Sequence, residues 1–116
     1  MVETTGTNRP IESYADFWPY YLQEHAKPAT RTLHFIGTGL AVATAASAIV
    51  TWHAWLGGAA LLAGYGPAWI AHFFVEKNRP ATFTYPIWSL ISDFRMAFTW
   101  LTGSLDEELA KAGIHR

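Results

Sequence analysis

Residues 33–74 carry no Asp, Glu, Lys or Arg. This 42-residue run pushes all 17 formal charges, 8 basic and 9 acidic, into the other 74 residues. One helix needs about 20 apolar residues to cross the hydrocarbon core of a bilayer, so the run is long enough for two passes. The expected fold is all-α: a small transmembrane helical bundle of about four helices around a central antiparallel hairpin. The competing reading is a soluble bundle with a buried hairpin. Covering two helices on every face needs more protein than 116 residues supply.

Composition narrows the chemistry. A net charge of −1 without a clustered basic excess argues against nucleic acid as a partner. The chain has no cysteine, which excludes disulfide scaffolds, thiolate zinc sites, iron–sulfur clusters and cysteine nucleophiles. Residues 1–12 lack a basic segment running into an apolar core, so they read as a disordered tail rather than a secretory leader.

The membrane domain is expected over residues 13–105. Ser13 is a suitable N-cap for an amphipathic helix at 14–25, in which Tyr14, Phe17, Trp18, Tyr21 and Leu22 share one face. That density of Trp and Tyr suits a membrane–water interface. Thr30 can cap a first span at about 31–51, rich in small residues that allow close helix approach. Residues 52–55 form the turn, and a second span runs from Gly57 to about Glu76. Pro86 opens a last helix at about 87–102, whose Ser89, Ser92, Asp93, Thr99 and Thr102 should face the bundle interior. Gly103 ends it. Residues 106–116 read as a charged C-terminal tail, with one short exposed helix. Arg9, Lys27, Arg31, Lys77 and Arg79 flank the spans and the 52–55 turn has no Lys or Arg, so the N-terminus is expected on the cytoplasmic side.

The histidines obey a simple arithmetic. His34 lies 19 residues before His53 in the turn, and His72 lies 19 after it. In an antiparallel hairpin both then sit about 28 Å from the turn, at one depth. His25 ends the preceding helix and reaches the same end. His53 and His115 do not. Glu76 follows His72 by one helical turn, and Glu24 adjoins His25. Imidazole with carboxylate is a donor set for first-row transition metals, so His25, His34, His72 and Glu76 are the candidate metal ligands. A serine-nucleophile reading of Ser89 or Ser92 with Asp93 is weaker, because no nucleophile elbow is present.

Residues 20–25 (YYLQEH), 31–37 (RTLHFIG), 68–83 (AWIAHFFVEKNRPATF) and 85–90 (YPIWSL), with Asp93, resemble a family of small membrane proteins. It is typified by the fungal 2-hydroxy-fatty-acid dioxygenase of the endoplasmic reticulum and has many bacterial relatives of unknown function. The resemblance implies an Fe(II)-dependent oxidoreductase that uses O2 to shorten a 2-hydroxy fatty acid by one carbon. It implies a seat in the bacterial inner membrane or the endoplasmic reticulum, among membrane lipid. The family's essential histidines map onto His25, His34 and His72, and Glu76, Asn78 and Arg79 of the third segment are the catalytic candidates. Glu24 and Glu76 can each be a ligand or a partner that orients one. Arg31, Lys77 or Arg79 can hold the substrate carboxylate, and the Gly/Ala-rich groove between helices can take the acyl chain. Two further readings stay open: a non-catalytic lipid-binding or assembly protein, and a zinc-dependent lipid hydrolase. Assembly into a homo-oligomer is also open.

The uncharged run generates the first prediction. Expressed protein is expected in the high-speed pellet until detergent is added. Recovery of most of it in a detergent-free supernatant contradicts the membrane assignment.

Overall fold

The computed structural model describes residues 11–114, and among these every regular element is helical. Helix α1 (Tyr14–Gln23) starts at Ser13, whose hydroxyl accepts the Asp16 N–H at 3.2 Å. Helix α2 (Pro28–Thr51) begins three residues before the expected start, because Pro28 supplies the fixed φ that suits a first helical position. Thr30 is therefore inside the helix and buried, and Lys27 takes the capping position. α2 ends at Trp52, which adopts a left-handed φ of 62°. Helix α3 (Trp55–Ile70) returns alongside α2 and widens into a π-helical turn at Ala71–Glu76. A short 3-10 turn (Ala81–Phe83) leads into α4 (Pro86–Thr102), and Gly103 at φ 84° connects it to α5 (Leu105–Lys111).

Two packing regimes share this chain. At one end α1, α4 and α5 enclose an aromatic core of the kind found in soluble domains. Phe17, Trp18, Tyr21 and Leu22 of α1 meet Met96 of α4 and Leu105 and Leu109 of α5. The face of α1 that suits a membrane interface by composition is thus turned inward. The charged C-terminal segment is helical as expected, but one side of it is core. α5 is further held by Glu108, which accepts the Trp18 indole N–H at 2.8 Å. Trp18 in turn carries the Arg95 guanidinium on its ring. Ser89, Ser92 and Thr99 face inward from α4 as their spacing requires, while Thr102 is exposed. Residues 1–10, most of the expected tail, and His115 lie outside the described residues.

The other regime is the α2–α3 hairpin. The helices Pro28–Thr51 and Trp55–Glu76 are both long and apolar enough to cross a membrane. Ile49, Val50 and Leu62 are 74–78 % exposed. A contiguous apolar surface of this kind marks an interaction site rather than a water-facing one. The two helices meet through small residues. A Cβ on Gly37 would stand 2.8 Å from the Gly64 carbonyl oxygen, and one on Gly64 would stand 3.3 Å from Ala41 Cβ. The backbones therefore touch at Gly37, one turn above His34. Gly39 meets nothing within 4 Å, because two residues along a helix turn the side chain to the opposite face.

The contrast between these glycines is measurable. Gly37→Leu should force α2 from α3 and destabilise by roughly 1–3 kcal/mol, whereas Gly39→Leu should leave the thermal midpoint in detergent almost unchanged. Equal effects would place the helix contact elsewhere.

Candidate metal centre

His25 follows α1, His34 lies on α2 and His72 on the π-helical turn, and all three are buried. Their Nε2 atoms form a small triangle: His25 to His34 3.1 Å, His34 to His72 3.2 Å, His72 to His25 3.0 Å. The spacing arithmetic from the turn thus brings together the three residues it selected. His53 lies in the turn at the far end of the hairpin.

The other ring nitrogens explain the orientation. His25 Nδ1–H donates to the Tyr21 carbonyl at 2.6 Å, and the Tyr21 ring stacks on the imidazole at 4.0 Å. His72 Nδ1–H donates to Asn78 Oδ1 at 2.7 Å; the Asn78 amide is set this way round because its Nδ2 donates to the Glu24 carbonyl at 3.1 Å. His34 Nδ1 faces the Asp93 carboxylate at 3.6 Å, and Asp93 accepts the Tyr21 hydroxyl at 2.5 Å. His25 and His72 each have a hydrogen-bond acceptor at Nδ1, so these two rings carry the proton there and turn an Nε2 lone pair toward the cluster. Two such lone pairs, 3.0 Å apart, repel each other unless a proton or a cation lies between them. The donor set therefore fits a metal ion. Among the described residues these three histidines are a group able to hold one.

The π-helical turn contributes to this arrangement. Such one-turn widenings often occur at functional sites. Here the turn closes with Lys77 at φ 65° and with the Asn78 N–H on the His72 carbonyl at 2.9 Å. The chain folds back on itself, so Asn78, six residues on, reaches the ring of His72.

The remaining sequence candidates have other partners. Glu76 Oε2 accepts the Lys27 backbone N–H at 2.6 Å, where it meets the N-terminus of α2. Lys27 Nζ donates to the Val75 carbonyl at 2.9 Å. Arg31 is buried and gives Nη1 to the carbonyls of His25 and Ala26 at 2.9 and 2.8 Å, which fixes the link between α1 and α2. Arg79 lies over the Phe83 ring at the surface, beside Lys77. Burial and the neighbouring Glu76 hold the Glu24 carboxyl above its ordinary value. The sequence offers Asp93 as part of an inward stripe on α4, as the acid of a weak serine-nucleophile reading and among the residues of the resemblance, but not as a partner of His34. Its place beside His34 depends on how α4 crosses the hairpin, which spacing does not reveal.

Burial, with the neighbouring histidines, pushes the His25 imidazole well below its ordinary value near 6.5. The unfolded chain then takes up a proton at this residue below about pH 6.5, while the folded chain does not. Metal-free protein should accordingly lose stability as the pH falls below that value. Thermal melts in detergent at about pH 7.5 and about pH 5.5 test this, and His25→Gln should reduce the difference. A midpoint that ignores pH would mean that His25 is not buried in its neutral form.

No curated protein and no solved structure matches this chain. A family model does, over residues 11–105, and its description is 2-hydroxy-palmitic acid dioxygenase Mpo1-like. That stretch contains all three histidines with Asn78 and Asp93, so the chain belongs to the Mpo1-like family.

Proposed function

We propose that this protein is a membrane-embedded, Fe(II)-dependent dioxygenase that shortens 2-hydroxy fatty acids by one carbon. The observation that carries the reading is the convergence of three histidine Nε2 atoms in a buried site at one end of an apolar hairpin. The family description supplies the dioxygenase class. Imidazole donors suit iron and zinc alike, and the dioxygenase description favours iron of the two.

His25, His34 and His72 would hold the iron, which would supply the redox centre for the reaction of the 2-hydroxy acid with dioxygen. The overall chemistry balances without a further reductant. The hydroxyl carbon becomes the carboxyl carbon of the shorter acid, the old carboxyl leaves as carbon dioxide, and the remaining oxygen leaves as water. The chain's own part is to hold the imidazoles and exclude bulk water. Tyr21, Asn78 and Asp93 aim the three rings. Glu76 acts through its contact with Lys27 rather than as a ligand. Lys27, Lys77 and Arg79 give this end of the hairpin a basic character suited to the cytoplasmic face and to an approaching carboxylate.

The test is metal analysis of protein purified without a histidine tag, together with oxygen-dependent conversion of a 2-hydroxy fatty acid. Iron with the shortened acid is expected. Zinc with lipid hydrolysis, or neither metal nor product, overturns the reading. Alanine at His25, His34 or His72 should abolish iron binding and turnover, while His53→Ala retains both. Asn78→Ala should cost about 10–100-fold in metal affinity or activity, the usual loss when a ligand-orienting partner is removed. Glu76→Gln, which keeps an acceptor for Lys27, should hold iron as the wild type does. Loss of iron in Glu76→Gln would instead make the carboxylate a ligand.

A further inference from the structure

The α4 side of the histidine cluster has two properties that the proposed function does not use. The first is an unpaired hydroxyl. Ser89 is buried at 2 % exposure, and its Oγ has no hydrogen-bond partner among the described residues. Helical serines and threonines in apolar surroundings commonly return the hydroxyl to the preceding turn. Thr44, Ser47 and Thr51 of α2 each do so at 2.7–3.0 Å. Ser89 does not. It lines a small cavity together with His25, His34 and His72, and with Tyr65 and Asp93. A buried polar group left in this state is costly, and its position beside the metal ligands points to something polar that it holds.

The second property is where the cavity leads. His34, Tyr65 and Asp93 also form the head of an apolar groove that continues between α2, α3 and α4. Its floor is made of small residues, Ala41, Ala60 and Gly64, and Leu90 and Phe94 of α4 form one wall. From His34 to Ala41 the groove follows α2 for seven residues, about 10 Å, toward the hairpin turn. The cavity and the apolar groove adjoin at His34, Tyr65 and Asp93, which line both. The cavity, about 10 Å³, has room for one oxygen-sized group, and the groove beside it suits a single straight chain.

We infer that cavity and groove together are the substrate pocket: Ser89 holds an oxygen of the acid's head group beside the metal, and the acyl chain leaves past Tyr65 along Ala41 and Ala60. This inference rests on the proposed function and assigns its binding determinants. The groove reads only the first part of the chain and passes the rest to the surrounding apolar phase. Ser89 therefore contributes to binding of any 2-hydroxy acid, while Ala60 matters only for acids long enough to reach it.

The experiment is anaerobic equilibrium binding, without turnover, to the iron-loaded full chain in detergent. The probes are 2-hydroxyhexadecanoic acid and 2-hydroxybutanoic acid. Iron content is measured first, to show that each variant keeps its metal. Ser89→Ala should weaken both acids about 10-fold, the loss expected for one hydrogen bond to a charged group, and Ser89→Thr should restore much of it. Ala60→Phe should weaken the long acid by a similar factor and leave the short one unchanged. Leu61→Trp, at the exposed edge of the same groove, is the second chain-side variant should Ala60→Phe lose iron. Wild-type affinity in Ser89→Ala, or equal weakening of both acids by the groove variants, overturns the pocket while leaving the proposed function standing. A wild-type protein that binds neither acid overturns the proposed function and the pocket with it.

Discussion

Three imidazole Nε2 atoms held within 3.2 Å of one another must share a proton or a cation, and the fold is organised around holding them there. The rings come from three separate parts of the chain, so no local helix geometry can place them. α1 must dock against α4 and α5, and α2 must approach α3 closely enough for His34 and His72 to meet. The glycine contact at Gly37 and Gly64 allows that approach, one turn from the cluster. The outer nitrogens of His25 and His72 are locked by a backbone carbonyl and an amide, and the Asp93 carboxylate stands 3.6 Å from that of His34. In a protein of this size, little of the interior beside the site is free of a part in this arrangement.

The aromatic core of α1, α4 and α5 serves the same end from outside the hairpin. A two-helix hairpin alone offers His34 and His72 but no third ligand and no cover. α1 brings His25 with its Tyr21 shelf, and α4 brings Asp93. Tyr21 joins the two, because its carbonyl takes the His25 proton and its hydroxyl meets Asp93. The soluble-type core therefore anchors the half of the site that the apolar hairpin cannot supply.

The sequence made much of this legible. An uncharged run of twice a bilayer's length, and histidines at equal distance from a turn, are patterns that survive without tertiary information. They were enough for the helical class, the hairpin and the histidine cluster. What escaped depends on rotation about helix axes and on crossing angles. Gly37 and Gly39 are equivalent by composition, and only the azimuth of α2 decides which one meets α3. Glu76 lies one α-helical turn from His72 by count, but the π-helical widening spoils that count and carries the carboxylate to Lys27. Asn78 reads as a loop residue until the left-handed Lys77 turns the chain back. The aromatic face of α1 has the composition of a membrane interface and of a core alike, and α5 decides between them by burying it.

The tip of the hairpin stands apart from all this. Trp52 and Trp55 are 91 % and 69 % exposed, and the last turns of α2 and the first of α3 pack on little but each other. Adding or removing matched turns at the tip, beyond Ala41 and Ala60, changes the reach of the hairpin without displacing the histidine cluster or the groove beside it. Bilayers differ in thickness by a few ångströms between organelles and between organisms, and a helical turn is about 5.4 Å. If the hairpin spans a bilayer, the same histidine cluster is carried into membranes of different depth by drift in the tip alone. Length variation among relatives is expected to gather there, while the spacing from His25 to His34 stays constant.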